Sequence, residues 1–392
     1  MIIFMIALQA GLEFSGFLHF LHRSSRSVLR TNMVTMSQSL SVFASIAVFL
    51  SVPCAAFASS APPFECAAAT VVASAQASMG EKSAVAMLID EVDKRTGQRW
   101  EQASAYPLRT RRRGDEESCL VVAATREEMP ALLPPTLAGV RRRMPQLAEG
   151  FSLHSARYLS RPVVVIEGYD ARGVLFGIGK LLRTMEMESG RASIPANLHL
   201  LEQPAVPARS HQLGYRFKNN TYDAWTLAQF EQQIRDLAVF GANTVQLIAP
   251  ESDDAKESPL FPLPALDTLL GISRILDRYG LNCDIYYPEM EADYAQPADV
   301  ERELTRFETL FSQIPRVDAV YVPGGDPGHT PPDLLFPLME KEAALLRRFH
   351  PQAKLYVSAQ GMDAGHYEDF YRLLARRPKW LSGIFFGPQS RD

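Results

Sequence analysis

The sequence predicts an α/β protein: an N-terminal α+β sandwich-like domain followed by an incomplete TIM (β/α)8 barrel of about six βα units. Three observations lead there. The second half alternates short Val-, Ile- and Tyr-rich runs with stretches of helical period, the pattern of a parallel sheet. Its turns are short, and two of its helical stretches stop at glycines, Gly241 and Gly280. The first half mixes strands and helices less regularly and ends at a Pro-rich stretch, EQPAVPA, over 202–208.

A chain of 392 residues is long enough for two domains with proper cores. With 47% hydrophobic and 21% charged residues it reads as globular. A net charge of −4 gives no reason to expect nucleic acid or an anionic membrane surface as partner. The arginine triplets at 111–113 and 141–143 sit near Pro or Gly in polar connections, and read as solvated loops.

Residues 1–58 read as a signal or targeting region outside the fold. The apolar run 40–52 has signal-peptide length, and Ala56, Phe57 and Ala58 form a small-residue cleavage pattern. An ordinary signal peptide would begin at Met33 or Met36. A second apolar stretch, 1–21, precedes Arg23, Arg26 and Arg30; a true start lying downstream of it is the expectation, with a membrane hairpin as the alternative. Cys54 follows Pro53, a poor fit to a lipoprotein signal. The expectation is a secreted or periplasmic protein with no stable membrane insertion after cleavage near Ala58. Cys66, Cys119 and Cys283 then remain. Cys66 and Cys119 fall in the first domain and are able to pair in an oxidising compartment; buried free thiols are the alternative. An odd count without a CxxC pair argues against structural zinc, and no cofactor or metal is expected.

In the first domain, 59–207, an amphipathic helix is expected over 82–96, with Val85, Leu88, Ile89 and Val92 on one face. A strand follows over 119–124 and a short helix over 126–133, closed by Pro134 and Pro135. Strands over 152–159 and 163–167 are close enough for a hairpin. Gly173, Gly177 and Gly179 then open a helix running to Met185. A dinucleotide site needs its first two glycines two apart, so that the turn lets a pyrophosphate approach the helix N-terminus. Here they are four apart, and close helix–sheet packing is the better reading.

The stretch IEGYDARGVLFGIGKLLR resembles the end of the small α/β domain that precedes the barrel in family 20 hexosaminidases and family 67 α-glucuronidases. In those enzymes a strand, a G-x-D-x-x-G-x-x-x-G turn and a helix lead through a Pro-rich linker into the barrel, as 202–208 and Arg209 do here. The resemblance covers about residues 60–250. It implies glycosidic-bond cleavage and an oligosaccharide or polysaccharide as partner.

From 208 to 392 the expected strands are 210–217, 244–249, 283–287, 319–323, 354–359 and 381–386. Helices are expected over 226–240, 266–279, 298–314, 334–349 and 367–376. A closed barrel needs eight strands. Six suggest a chain cut short, since an open apolar edge would expose main-chain donors.

Barrel enzymes carry their chemistry at the carboxyl ends of strands. Those ends offer Tyr215, Arg216, Lys218, Asn219 and Asn220, then Glu251, then Tyr286, Tyr287 and Glu289. Asp326 and His329 follow, then Gln360, then Gln389 and Arg391. Amides and carboxylates suit sugar hydroxyls, and aromatic faces suit pyranose rings. Asp326 and Glu289 are the catalytic candidates, because glycoside cleavage needs two carboxyl groups. Tyr215, Arg216, Asn219, Tyr286, His329, Gln360 and Gln389 are the substrate-binding candidates. The resemblance implies an acid at the fourth strand end, where those families carry Glu and this chain Asp326. Plain alternatives stand beside each: Asp326 as a turn residue in DPG, Glu289 as a salt-bridged rim residue, Glu251 as solvated surface, His329 satisfied locally. Alternation along a strand cannot place Tyr215, Tyr286 and Tyr287 all in one site. A metal-dependent hydrolase using Asp326, His329 and His211 is a weaker reading.

Overall fold

The computed structural model describes residues 61–105, 118–134, 136–137, 146–214, 224–251 and 259–387. The expected targeting region 1–58, both arginine triplets, and the candidates Tyr215, Arg216, Asn219 and Gln389 lie outside them. Among the described residues no helix is long and apolar enough to cross a membrane.

The first half holds β1 (Phe64–Glu65), β2 (Ala68–Val72), α1 (Met79–Thr96), β3 (Glu101–Ala103) and β4 (Ser118–Thr125). Then come α2 (Met129–Leu132), β5 (Phe151–Tyr158), β6 (Arg161–Gly168) and α3 (Ala171–Thr184). It closes with β7 (Glu186–Glu188), β8 (Arg191–Ile194) and β9 (His199–Glu202). A mixed sheet runs β3-β2-β4-β6-β5-β9, parallel from β3 to β6 and antiparallel from β6 to β9. β1, β8 and β7 form a small antiparallel sheet beside it.

Period-two alternation sorts the valines. Val71, Val121, Val164 and Ile166 join the core that contains α1 and α3, while Val72, Val122, Val163 and Val165 pack with Met129 and Leu132 of α2. α1 begins in a capping box, the Ser78 amide donating to Glu81 Oε2 at 2.9 Å and the Glu81 amide to Ser78 Oγ at 3.3 Å. The β5–β6 hairpin turns through Leu159 and Ser160, both at positive φ, as a two-residue type I′ turn requires. Cys66 and Cys119 are joined in a disulfide with Cα atoms 5.3 Å apart, while Cys283 is a buried free thiol. The glycine series of α3 serves packing: a Cβ on Gly177 would stand 2.5 Å from Ile166 Cγ2. The short helix expected over 126–133 reduces to a single turn.

The second half runs β10 (Ser210–Leu213), α4 (Leu227–Val239), β11 (Thr244–Ile248), α5 (Ala265–Tyr279), β12 (Asn282–Tyr286) and α6 (Pro297–Phe311). It continues with β13 (Ala319–Val322), α7 (Pro332–Phe349), β14 (Lys354–Val357), α8 (Tyr367–Ala375) and β15 (Gly383–Ile384). The six strands pair in chain order and all are parallel. Side chains such as Leu213, Val245, Cys283, Val320 and Val357 share a core with Phe230, Leu269, Phe307 and Leu335 of the helices. The register aligns the opposite face: Gln212, Gln246 and Asp284 in one layer, Tyr286, Tyr321 and Tyr356 in the next. That face is polar, whereas the middle of a closed barrel is filled mostly by branched apolar side chains.

Glu149 ties the two sheets together. It receives hydrogen bonds from Arg172 of α3, from Arg209 just before β10 and from Asn243 just before β11. Burial opposes ionisation of Glu149, but these donors outweigh it and hold its carboxyl below the usual range.

Candidate functional site

The loops after β13 and β14 are pressed together by glycines. Gly324 has φ +76°, and a Cβ there would run into the Ser358 carbonyl oxygen. A Cβ on Gly325 would stand 2.5 Å from the Met362 amide. Only glycines fit that approach. It lets the Gly325 amide donate to the Gln360 carbonyl at 2.8 Å, while the Gln360 amide donates to Ser358 Oγ at 3.2 Å. Asp326 and Gln360 are thereby set side by side.

The Gln360 side chain closes the arrangement. Its Nε2 donates to Asp326 Oδ2 at 2.7 Å and to the Tyr286 hydroxyl at 2.9 Å. Three neighbouring strand ends, β12, β13 and β14, thus meet on one amide. The assignment of O and N in that amide follows from Asp326, whose carboxylate only accepts. Beneath it Tyr321 and Tyr356 stack at 4.9 Å and 11°, and Phe385 meets Tyr321 edge-on at 5.1 Å. His329 is on the same rim, 61% exposed in its side chain, with Nδ1 3.6 Å from Asp363. Asp363, which the sequence did not single out, is a second exposed carboxyl on the loop after β14.

Tyr286, Asp326 and Gln360 are brought together directly, and His329 stands on Asp326's own loop. Glu289 is not among them. It is 2% exposed, and neither of its oxygens has a hydrogen-bond partner among the described residues. Burial pushes its carboxyl well above the usual range, and the neighbouring Glu342 and Glu303 add to that. The cause lies two residues back: Tyr287 points to the helices, where its hydroxyl meets Glu303 at 2.6 Å. Glu303 also accepts from Tyr294 at 2.7 Å and from the Met290 amide at 3.0 Å, and pairs with Arg306. The loop carrying Glu289 is therefore drawn under α6 and α7. Glu342 of α7 is likewise buried and unpartnered. Glu289 is therefore kept apart from the strand-end cluster.

Glu251 is half exposed, with Arg306 3.6 Å away. A cavity of about 820 Å³ lies beside these residues, with Arg302, Leu266 and Leu310 in its wall, on the helix side of the sheet and away from the strand-end cluster. His211 is paired in register with Val245, on the helix-facing side of β10. Among the described residues no three of His, Cys, Asp and Glu gather as metal ligands, so Asp326, His329 and His211 do not form a metal site.

Sequence reading also passed over Asp284. It sits on the face of β12 turned away from the helices and is 5% exposed. Burial raises its pKa to about 8, the nearby Asp318 adds to the rise, and the Tyr321 hydroxyl works against it. A carboxyl inside a strand gives no sign in the sequence of which way it faces until the register is known.

This fold is similar to that of several solved glycoside hydrolases. A family GH115 4-O-methyl-α-glucuronidase with specificity for decorated arabinogalactans superposes with a TM-score of 0.52 at 11% identity, over 80% of this chain and 44% of that one. A GH138 enzyme targeting pectin rhamnogalacturonan II gives 0.51 at 11% identity, over 81% and 37%. The family GH20 chitobiase of Flavobacterium johnsoniae gives 0.50 at 12% identity, over 79% and 52%. The resemblance to hexosaminidases and glucuronidases therefore holds at the level of fold, the glucuronidase being of family 115. The chain spans about half or less of the length of these proteins. No protein-family model and no curated protein matches the sequence.

Proposed function

We propose that this protein is an exported carbohydrate-active enzyme of the glycoside hydrolase type. It would cleave glycosidic bonds in an oligosaccharide or polysaccharide by carboxylate acid/base catalysis. In this reading residues 59–207 form the small α/β domain and 208–392 part of the catalytic barrel. The observation that carries it is the junction of Asp326, Gln360 and Tyr286 at three adjacent strand ends, above stacked tyrosines. Asp326 is one carboxyl of the mechanism, and Tyr286 and His329 contact sugar hydroxyls. Tyr215, Arg216, Asn219 and Gln389 belong to strand ends of the same rim by sequence. No cofactor is required. Export is supported by the apolar run 40–52 with its Ala56–Phe57–Ala58 pattern, and by the Cys66–Cys119 disulfide.

A second reading is a truncated or non-catalytic remnant that binds carbohydrate without cleaving it. The burial of Glu289 favours it, because a proposed second carboxyl is thereby withdrawn from Asp326. A panel of 4-nitrophenyl glycosides, including the β-N-acetylglucosaminide and the α-glucuronide, separates the two. The hydrolase reading predicts turnover that Asp326→Asn lowers at least about 10²-fold, the scale of a lost acid/base group. Oligosaccharide binding without turnover supports the remnant. Turnover unaffected by Asp326→Asn removes Asp326 from the mechanism.

A further inference from the structure

Gln360 was expected to touch the sugar, and its surroundings indicate a different task. The residue is 5% exposed. Both hydrogens of its Nε2 are committed, one to Tyr286 and one to Asp326. Its Oε1 is sealed, and the backbone at Gly387 lies so close that a Cβ there would collide with it. A substrate hydroxyl therefore has neither a free donor nor an open acceptor to meet. The backbone of Gln360 is fixed as well, by the Gly325 amide and by Ser358, whose own hydroxyl is turned to the Pro323 carbonyl at 3.3 Å.

We infer that Gln360 is a positioning residue, whose amide holds the Tyr286 hydroxyl and the Asp326 carboxylate at a fixed separation so that those two groups meet the same sugar linkage. Two N–H arms of a planar amide diverge by about 120°, which with the observed bond lengths sets the two oxygens about 5 Å apart. That is close to the 5–5.5 Å or so that separates the two carboxyl groups of a retaining glycoside hydrolase, with the Tyr286 hydroxyl here in the place of one of them. Asp326 Oδ1 makes no hydrogen bond among the described residues, so one oxygen is clamped while the other is uncommitted. The inference rests on the hydrolase reading for its kinetic part and stands on geometry for the rest.

The test uses the full-length protein with Gln360→Met, which keeps the volume and removes both donors, and Gln360→Glu, which keeps the shape and sets a second carboxyl against Asp326. Crystal structures of wild type and Gln360→Met are compared first. The Tyr286 Oη to Asp326 Oδ2 distance is expected to change by more than about 1 Å once the bridging donor is gone; an unchanged distance overturns the inference. On any 4-nitrophenyl glycoside that the wild type cleaves, Gln360→Met should lower kcat about 10²-fold with KM within about threefold. Gln360→Glu should move the acid limb of the pH–rate profile upward. A raised KM at unchanged kcat identifies Gln360 as a sugar contact and overturns the inference. If the wild type cleaves none of the panel, the hydrolase reading fails, and the crystallographic comparison still decides the role of Gln360.

Discussion

Glu342 offers a stability experiment whose sign is unusual for a buried side chain. It lies in the middle of α7, fully buried, with no hydrogen bond to either oxygen, next to the equally unpartnered Glu289. Burial raises its pKa well above that of an ordinary carboxyl, Glu303 raises it further, and Arg306 opposes both. Methionine has nearly the same length and volume and no charge to desolvate. A buried polar group without a partner costs about 1–3 kcal/mol, so Glu342→Met should stabilise the protein by about that amount at pH 7.5. For a protein of this size the gain corresponds to a rise in Tm of roughly 2–6 °C. The sign with pH follows from the raised folded-state pKa. The wild-type carboxyl is least costly below its unfolded value near 4.3, where it is neutral in both states, and its penalty grows as pH rises through the folded value. The advantage of Glu342→Met should therefore be small at pH 4 and increase toward pH 8. Differential scanning calorimetry across that range measures it. A variant less stable than wild type at every pH, or a gain independent of pH, refutes the reasoning.

Three further outcomes follow from particular contacts. Asp284→Asn should flatten the pH dependence of stability: with a folded pKa of about 8, the contribution of Asp284 is whole below its unfolded value near 4, shrinks up to pH 8 and is gone above it, as urea titrations at several pH values would show. Removing the disulfide with Cys66→Ser and Cys119→Ser should cost about 4 kcal/mol, since the bridge closes a loop of 53 residues; calorimetry of oxidised wild type against the double variant checks this, and an unchanged Tm contradicts it. Gly324→Ala should displace the loop after β13, because both its φ of +76° and the Ser358 carbonyl exclude a Cβ. Its loss, about 2–3 kcal/mol from strain and clash, should be accompanied by weakened activity or sugar binding, and a variant indistinguishable from wild type in both removes the glycine cradle from the account.

The regular half of the chain was the easier half to read. Each strand from β11 to β14 is a Val/Ile/Tyr run between turn residues, and each following helix shows its period, so six parallel strands were countable before their pairing was known. The first half hid β2, whose Ala-Ala-Thr-Val-Val lacks the bulk that marks a strand, and the short strands β1, β3, β7, β8 and β9, which hold their places through neighbours rather than propensity. At the site, PGG before Asp326 correctly announced a loop at a strand end. The link from Asp326 to Gln360 and Tyr286 was not readable, since it depends on the approach of two loops 34 residues apart. Glu289 shows the limit most clearly. It follows a strand end just as Asp326 does, but Glu303 and Arg306, fourteen and seventeen residues later, draw its loop beneath the helices.

The claim on which the account rests is that the ends of β12, β13 and β14 hold a sugar. Titrating the protein, with its glutamine side chains labelled with ¹⁵N, against chitobiose and against a glucuronic-acid-containing oligosaccharide tests it most directly by NMR. The account predicts that one of these sugars shifts the Gln360 side-chain amide resonances, and that Asp326→Asn weakens the titration. Saturable binding that leaves Gln360 undisturbed, with shifts confined to glutamines such as Gln313 beside the α6 cavity, would contradict it.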